Sequence, residues 1–156
     1  MNIRPYAATD RDAVVALVAS VLREYGFEAN VGGVERDLAD VAAGYGGTRA
    51  GFWVADVDGA LAGTVAIRPK ADATCELKRL YVAASARGRG VGRALYAHAE
   101  SFARAAGYER IWLDSSRRFV EARRLYERNG FTLVEELDND WCDNVYEKTL
   151  LTRNPT

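Results

Sequence analysis

The sequence predicts an α/β (α+β) fold, a mixed sheet with helices packed on its faces, as one domain over residues 1–156. Three observations point there. Strand-like segments at 52–57, 61–68 and 75–82 follow one another, the first two joined by Asp58-Gly59, the pair that suits a tight hairpin turn. A long amphipathic helix comes next, with Val91, Leu95, Ala99, Phe102 and Ala106 on one stripe. The remaining segments complete the order β-α-α-β-β-β-α-β-α-β-β.

Taken in order, residues 3–6 form a short strand, and Asp10 is placed to cap a helix carrying Val14, Leu17, Val18, Val21 and Leu22 at helical spacing. Gly26 ends that helix, and a second helix is expected over 34–43, broken by Gly44-Tyr45-Gly46-Gly47. In the segment 75–82 the apolar positions change parity, from Cys75 and Leu77 to Leu80 and Val82. A strict period of two cannot do this, so a β-bulge is expected near Lys78-Arg79. Gly107 closes the long helix, Ile111-Trp112-Leu113 is a short buried strand, and 118–128 is a helix stopped by Asn129-Gly130. Strands at 131–134 and 144–150 follow, and 154–156 is expected to fray.

Composition removes several classes of function. A net charge of −1 supplies no field to draw the chain to nucleic acid or to a membrane surface. No apolar run approaches the roughly 20 residues of a membrane helix, and the start, Met1 to Pro5, does not look like a signal peptide. A cytoplasmic location is expected. The single histidine, His98, and the two scattered cysteines, Cys75 and Cys142, do not make a transition-metal site. The cysteines are expected as small apolar residues on strands, and Trp53, Trp112 and Trp141 as core or sheet-face packing.

The strongest local signal is Arg87-Gly88-Arg89-Gly90-Val91-Gly92, between a hydrophobic strand and the first turn of an amphipathic helix. Backbone N–H groups converge at such a helix start with no bulky side chains in the way, which suits a pyrophosphate. Arg87 and Arg89 are placed to add charge-assisted contacts. A Walker loop would need Gly-Lys-Ser/Thr, which is missing. A dinucleotide fold, with Asp114 on the ribose, would need its glycines directly after the strand, but residues 83–87 intervene.

This strand, turn and helix resemble the acetyl-CoA-binding motif of the GNAT superfamily of N-acetyltransferases, Arg/Gln-x-x-Gly-x-Gly/Ala, matched by Arg87, Gly90 and Gly92. Residues 76–82 are similar to the family's central strand. The stretch Ala122-Arg123-Arg124-Leu125-Tyr126-Glu127-Arg128-Asn129-Gly130-Phe131 resembles its final helix-to-strand motif. The resemblance implies the GNAT fold, a mostly antiparallel sheet splayed at the cofactor site with helices on both faces. It implies acetyl-CoA bound by Arg87, Gly88, Arg89, Gly90, Val91 and Gly92, with the pantetheine arm along the backbone of Leu80, Tyr81 and Val82. One position departs from the pattern: Phe119 stands where many members have a cofactor-contacting asparagine.

Acetylating an amine requires its neutral form, and an alkylamine of pKa near 10.4 is about one part in 2,500 neutral at pH 7. Deprotonation therefore costs about 4–5 kcal/mol, which a base or a relaying water must help supply. By comparison with the histone-acetylating branch, Glu76 stands at the base position, six residues before Val82; the alternatives are an ordered water, or a structural Glu76 paired with Lys78 or a nearby arginine. The resemblance gives Tyr126 the role of general acid at the cofactor sulfur, against a packing role beneath the sheet. The expected activity is transfer of an acetyl group to the primary amine of a small acceptor in a ternary complex. The alternative is a non-catalytic acyl-CoA-binding module. Lys78, Arg79, Arg117 and Arg118 favour an acceptor bearing a carboxylate over a polycation, and Tyr25 and Phe27 lie where similar proteins wall the acceptor site. The chain is expected as a monomer or a homodimer.

Overall fold

The computed structural model describes residues 1–139 and 141–150, so the expected fraying at 154–156 lies outside the described residues. The elements are β1 (Asn2–Pro5), α1 (Arg11–Glu24), α2 (Val41–Tyr45), β2 (Gly51–Val57), β3 (Ala60–Ala71), β4 (Thr74–Val82), α3 (Val91–Ala105), β5 (Arg110–Ser115), α4 (Val120–Arg128), β6 (Thr132–Glu136) and β7 (Asn144–Thr149), in the order the sequence predicts. They build a seven-stranded sheet of order β1-β2-β3-β4-β5-β7-β6. Every neighbouring pair is antiparallel except β4 and β5, which run parallel.

Apolar side chains gather on both faces. On one, Val91, Leu95 and Ala99 of α3 and Tyr126 of α4 pack onto Val65, Ile67, Leu77 and Ile111. On the other, Val14, Val18 and Leu22 of α1 meet Phe52, Val54 and Ala66, with Val41 and Tyr45 of α2. Full burial of a side chain such as Leu95 or Val18 contributes about 1.5–3 kcal/mol. The sheet's two-sided burial explains why β2 and β3 read as nearly continuous apolar runs rather than alternating ones.

The β2–β3 turn is the expected tight hairpin: Asp58 and Gly59 have φ of 53° and 81°, as a type I′ turn requires. The expected bulge is also present. The register passes from Thr64↔Tyr81 to Ala66↔Lys78, so Arg79 and Leu80 together oppose the single Val65.

Three local expectations are corrected. The helix expected over 34–43 is a 3-10 turn, Arg36–Leu38, followed by the short α2. Asp40 restarts the chain there, its carboxylate accepting from the Ala43 N–H at 3.1 Å. Asp10 does not cap α1 with its side chain. It turns back to accept from the Ala7 N–H at 2.8 Å and from both terminal nitrogens of Arg4, at 2.8 and 2.9 Å. The last helix starts at Val120 rather than at 118, because Phe119 is held at φ −79°, ψ 71°, outside the helical region.

Candidate active site

Strands β4 and β5 pair only through Thr74↔Arg110, Cys75↔Ile111 and Glu76↔Trp112. Beyond that point both continue, β4 to Val82 and β5 to Ser115, without pairing to each other. The opening is a cleft of about 1020 Å³ that runs from the β6–β7 loop past the β4 bulge to the start of α3.

The glycine turn forms the far end. Gly88 and Gly90 have φ of 74° and 79°, a left-handed backbone that disfavours any side chain. Gly90 is the N-cap of α3, and the first bond of the helix is Ala94 N–H to the Gly90 carbonyl at 3.0 Å. The N–H groups of Val91, Gly92 and Arg93 precede it and are left for a ligand. Gly92 differs from the other two. A Cβ there would meet Val82 Cγ2 and Leu125 Cδ1 at 3.5 and 3.6 Å, ordinary contact, so the protein's own packing does not require glycine.

The arginines of the motif are engaged. Arg87 lines the cleft, forms an ion pair with Glu24 of α1 and donates to the Val82 carbonyl at 3.2 Å. Arg89 turns away to Asp58 of the β2–β3 hairpin, at 3.0 Å, and does not line the cleft. Arg93, Arg124 and Arg128 also line this end, Arg124 with the exposed Glu121 carboxylate 3.6 Å away. The sequence carried a signal for them: Arg93 stands in the first turn of α3, and Arg124 and Arg128 are four apart on α4.

At the centre, Leu80, Tyr81 and Val82 line the cleft together with Tyr126. The Tyr126 ring packs on Phe131 and Tyr146, with centroids 5.5 and 5.8 Å apart. Among the described residues no hydrogen bond engages its hydroxyl, and no buried side-chain oxygen lacks a partner, so the hydroxyl of this cleft-lining residue is not sealed from solvent. Burial, together with the nearby Tyr81, Tyr146 and Asp114, raises its pKa above the usual phenol value, keeping the proton on oxygen at neutral pH.

Glu76 lies off the cleft lining. It is 8% exposed, and its carboxylate accepts from Arg68 Nε at 2.7 Å. Asp114, which sequence reasoning weighed only as a ribose ligand, lines the cleft where β5 has left β4. Burial raises its pKa and the charge of Glu76 adds to this, opposed by Lys78 and Lys70. Lys78 also lines the cleft and takes part in no ion pair among the described residues.

The expected basic cluster is therefore divided. Arg79 is buried against Asp37, Arg117 pairs with Asp143 at 3.2 Å, and the Arg118 guanidinium sits 4.8 Å from the centre of the Phe27 ring. Lys78 alone of the four borders the cleft with a charge not taken up by a carboxylate contact. Tyr25 and Phe27 line the near end as expected, joined by Phe119, whose ring stacks edge-on to Tyr25 at 5.0 Å and tilts against Phe27 at 5.6 Å. Phe119 thus fills its family-divergent position as part of an aromatic wall. Two expectations fail here. Trp141 is 55% exposed at the cleft rim rather than packed, and Cys142 sits in the β6–β7 loop rather than on a strand. Burial, with the neighbouring Asp114, pushes the Cys142 thiol up to about 12, so it is not a nucleophile at neutral pH. Among the described residues there is no group of three or more metal-ligating side chains, and no helix is long and apolar enough to cross a membrane.

Residues 15–131 match the family described as acetyltransferase (GNAT) family. An N-acetyltransferase of Schizosaccharomyces pombe is 32% identical over 138 residues, 87% of this chain and 85% of that protein. The N-acetylaspartate synthetase of Danio rerio is 34% identical over 121 residues, 76% of this chain and 41% of that protein. Among solved structures, an acetyltransferase of Streptococcus agalactiae superposes with a TM-score of 0.86 at 25% identity, over 96% of this chain and 98% of that one. A putative acetyltransferase of Salmonella typhimurium, solved with acetyl-CoA, shares the fold at a TM-score of 0.74 and 18% identity, over 100% and 97% of the chains. The chain belongs to the GNAT acetyltransferase family and is an acyltransferase of the N-acetyltransferase kind.

Proposed function

We propose that the chain transfers the acetyl group of acetyl-CoA to the primary amine of a small acceptor carrying a carboxylate, by direct attack with both substrates bound. The observation that carries this reading is the opening between β4 and β5, which joins a helix start lined by glycines to the Tyr126 hydroxyl and the Asp114 carboxylate in one cleft. The residues present fit acetyl-CoA. Gly88 and Gly90 clear the approach to the N–H groups of α3, and Arg93, Arg124 and Arg128 supply positive charge for phosphates. Gly92 leaves room that the protein itself does not use. When bound, acetyl-CoA supplies an acetyl group activated as a thioester.

The chain's own groups then divide the work. Asp114, its pKa raised by burial, accepts a proton from the incoming ammonium, directly or through a water. The Leu80 N–H, at the bulge, donates to the carbonyl oxygen as negative charge develops there. The Tyr126 hydroxyl, protonated at neutral pH, donates to the departing sulfur. Glu76, held by Arg68, acts on Asp114 through its charge, in place of the direct role its position in the sequence suggested. For the acceptor, Lys78 offers a cation to a carboxylate, and Tyr25, Phe27 and Trp141 give apolar walls. The likeness to N-acetylaspartate synthetase supports an acceptor of that chemical kind.

Titration calorimetry with acetyl-CoA and with NADH tests the donor, and a thiol-release screen of amino acids against polyamines tests the acceptor. Micromolar binding of acetyl-CoA and turnover with amino acids are expected. Binding of NADH alone, or turnover confined to polyamines, overturns the corresponding half of the reading.

A further inference from the structure

Outside turns, a left-handed backbone belongs to glycine, yet Arg79 has φ 58° in the middle of β4. Among the described residues the other non-glycine with positive φ is Asp58, in a hairpin turn where that conformation is required. Nothing local favours it at an arginine. The residue is instead held from both ends. Its carbonyl accepts from the fully buried Thr64 Oγ1 at 2.6 Å. Its guanidinium donates to both carboxylate oxygens of Asp37, Nε at 2.9 Å and Nη2 at 2.5 Å, and Nη2 reaches the Val34 carbonyl at 3.4 Å. The two side chains are 6% and 9% exposed, and the Tyr45 hydroxyl donates to Asp37 as well.

A buried ion pair of this kind adds little net stability over apolar residues of the same shape, although breaking one partner is costly. Its geometric service is more specific. Arg79 and Leu80 are the bulged residues, and Leu80 with Tyr81 lines the cleft. Asp37 belongs to the segment between α1 and α2, whose Val34 and Glu35 line the acceptor end.

We propose that Asp37 and Arg79 are positioning residues: their pair holds the β4 bulge in the left-handed conformation that aims the backbone at Leu80 into the cleft, and ties the acceptor wall to it. This rests on the acyl-transfer reading of the cleft. Arg79 borders the cleft, but its guanidinium is taken up by Asp37 and the Val34 carbonyl.

The test compares wild type, Asp37→Ala and the double variant Asp37→Ala/Arg79→Gly, each first checked for folding by thermal melt. Asp37→Ala leaves the guanidinium unpaired. The double variant removes that charge and supplies a residue that takes φ 58° without strain. Coenzyme A affinity by calorimetry and kcat with the best amine are expected to fall roughly tenfold or more in Asp37→Ala. In the double variant, affinity is expected to recover to within about threefold while the acceptor KM is raised above wild type, as in the single variant, because the tie to the acceptor wall is gone in both. If Asp37→Ala does not fold, Asp37→Asn takes its place. Unchanged affinity and kcat in the folded single variant, with only a lowered Tm, overturn the positioning role, as does a double variant no better than the single. A wild-type chain that does not bind coenzyme A overturns instead the reading of the cleft on which the inference rests.

Discussion

Arg68 of β3 holds Glu76 of β4 through a 2.7 Å contact between its Nε and the Glu76 carboxylate, at the last residue where β4 still pairs with β5 before the cleft opens. The pair keeps Glu76 off the cleft lining while leaving its charge beside Asp114. Glu76→Gln is therefore expected to lower kcat by less than about threefold, against roughly 10²-fold or more for Asp114→Asn. The two variants separate further in pH profile. Removing the Glu76 charge makes Asp114 easier to ionise, so the acid limb of kcat/KM moves to lower pH in Glu76→Gln. Lys78→Met removes an opposing cation and moves it to higher pH. Initial rates between pH 5 and 9 check both shifts.

Tyr126→Phe keeps the ring that packs on Phe131 and Tyr146 and deletes the hydroxyl of this cleft-lining residue. Thermal stability and coenzyme A affinity are expected to change little, while kcat falls roughly 10²-fold. Melting curves, calorimetry and turnover on one preparation measure all three. Unchanged turnover would return Tyr126 to the packing role.

Glycines 90 and 92 are expected to answer substitution in opposite ways. Gly90→Ala forces a side chain into φ 79° and is expected to cost about 1–2 kcal/mol of stability. Gly92→Ala sits inside α3, where its Cβ finds ordinary contacts, and is expected to stabilise by about 0.5–1 kcal/mol. The same Cβ occupies the approach to the α3 N-terminus, so coenzyme A binding weakens in a protein that is no less stable. Denaturant unfolding paired with calorimetry distinguishes the two.

Acid stability follows from Asp10 and Asp37. Hydrogen bonds from Arg4 outweigh the burial of Asp10 and, with the Ala7 N–H, hold its carboxyl below the usual range. Burial alone would raise Asp37, but the bonds and charge of Arg79, helped by Tyr45, more than reverse this. Both carboxyls thus have folded pKa values below their unfolded ones, near 3.9. The stability they contribute is fully present above that value and is lost as pH falls through the lower, folded values. Tm is expected to drop steeply below about pH 4, and Asp10→Asn to lower Tm at pH 7 while flattening that drop.

Much of the architecture was legible in the chain because it is written at short range. Parity change in 75–82 marked the bulge, Asp58-Gly59 the hairpin, and the stripe from Val91 to Ala99 the face of α3 that the core covers. The segment 34–43 misled for a physical reason: its helical composition competes with Asp40 as a cap and with the draw of Arg79 on Asp37, a partner 42 residues away. Arg87 and Arg89 were singled out beside the glycines, yet their charges are met by Glu24 and Asp58, which lie 63 and 31 residues distant.

By itself, then, the sequence determined the order of elements, the bulge, the glycine turn at the start of α3 and the family to which these belong, since each depends on neighbours within a few residues. The tertiary structure alone decided which charges remain for chemistry. Pairing across the sheet and with α1, the bulge and the hairpin gives Glu76, Arg79, Arg87 and Arg89 protein partners, and leaves Asp114, Lys78, Arg93 and the Tyr126 hydroxyl at the cleft without one among the described residues. Electrostatic partnership is set by proximity in space, and no local pattern in the chain records it.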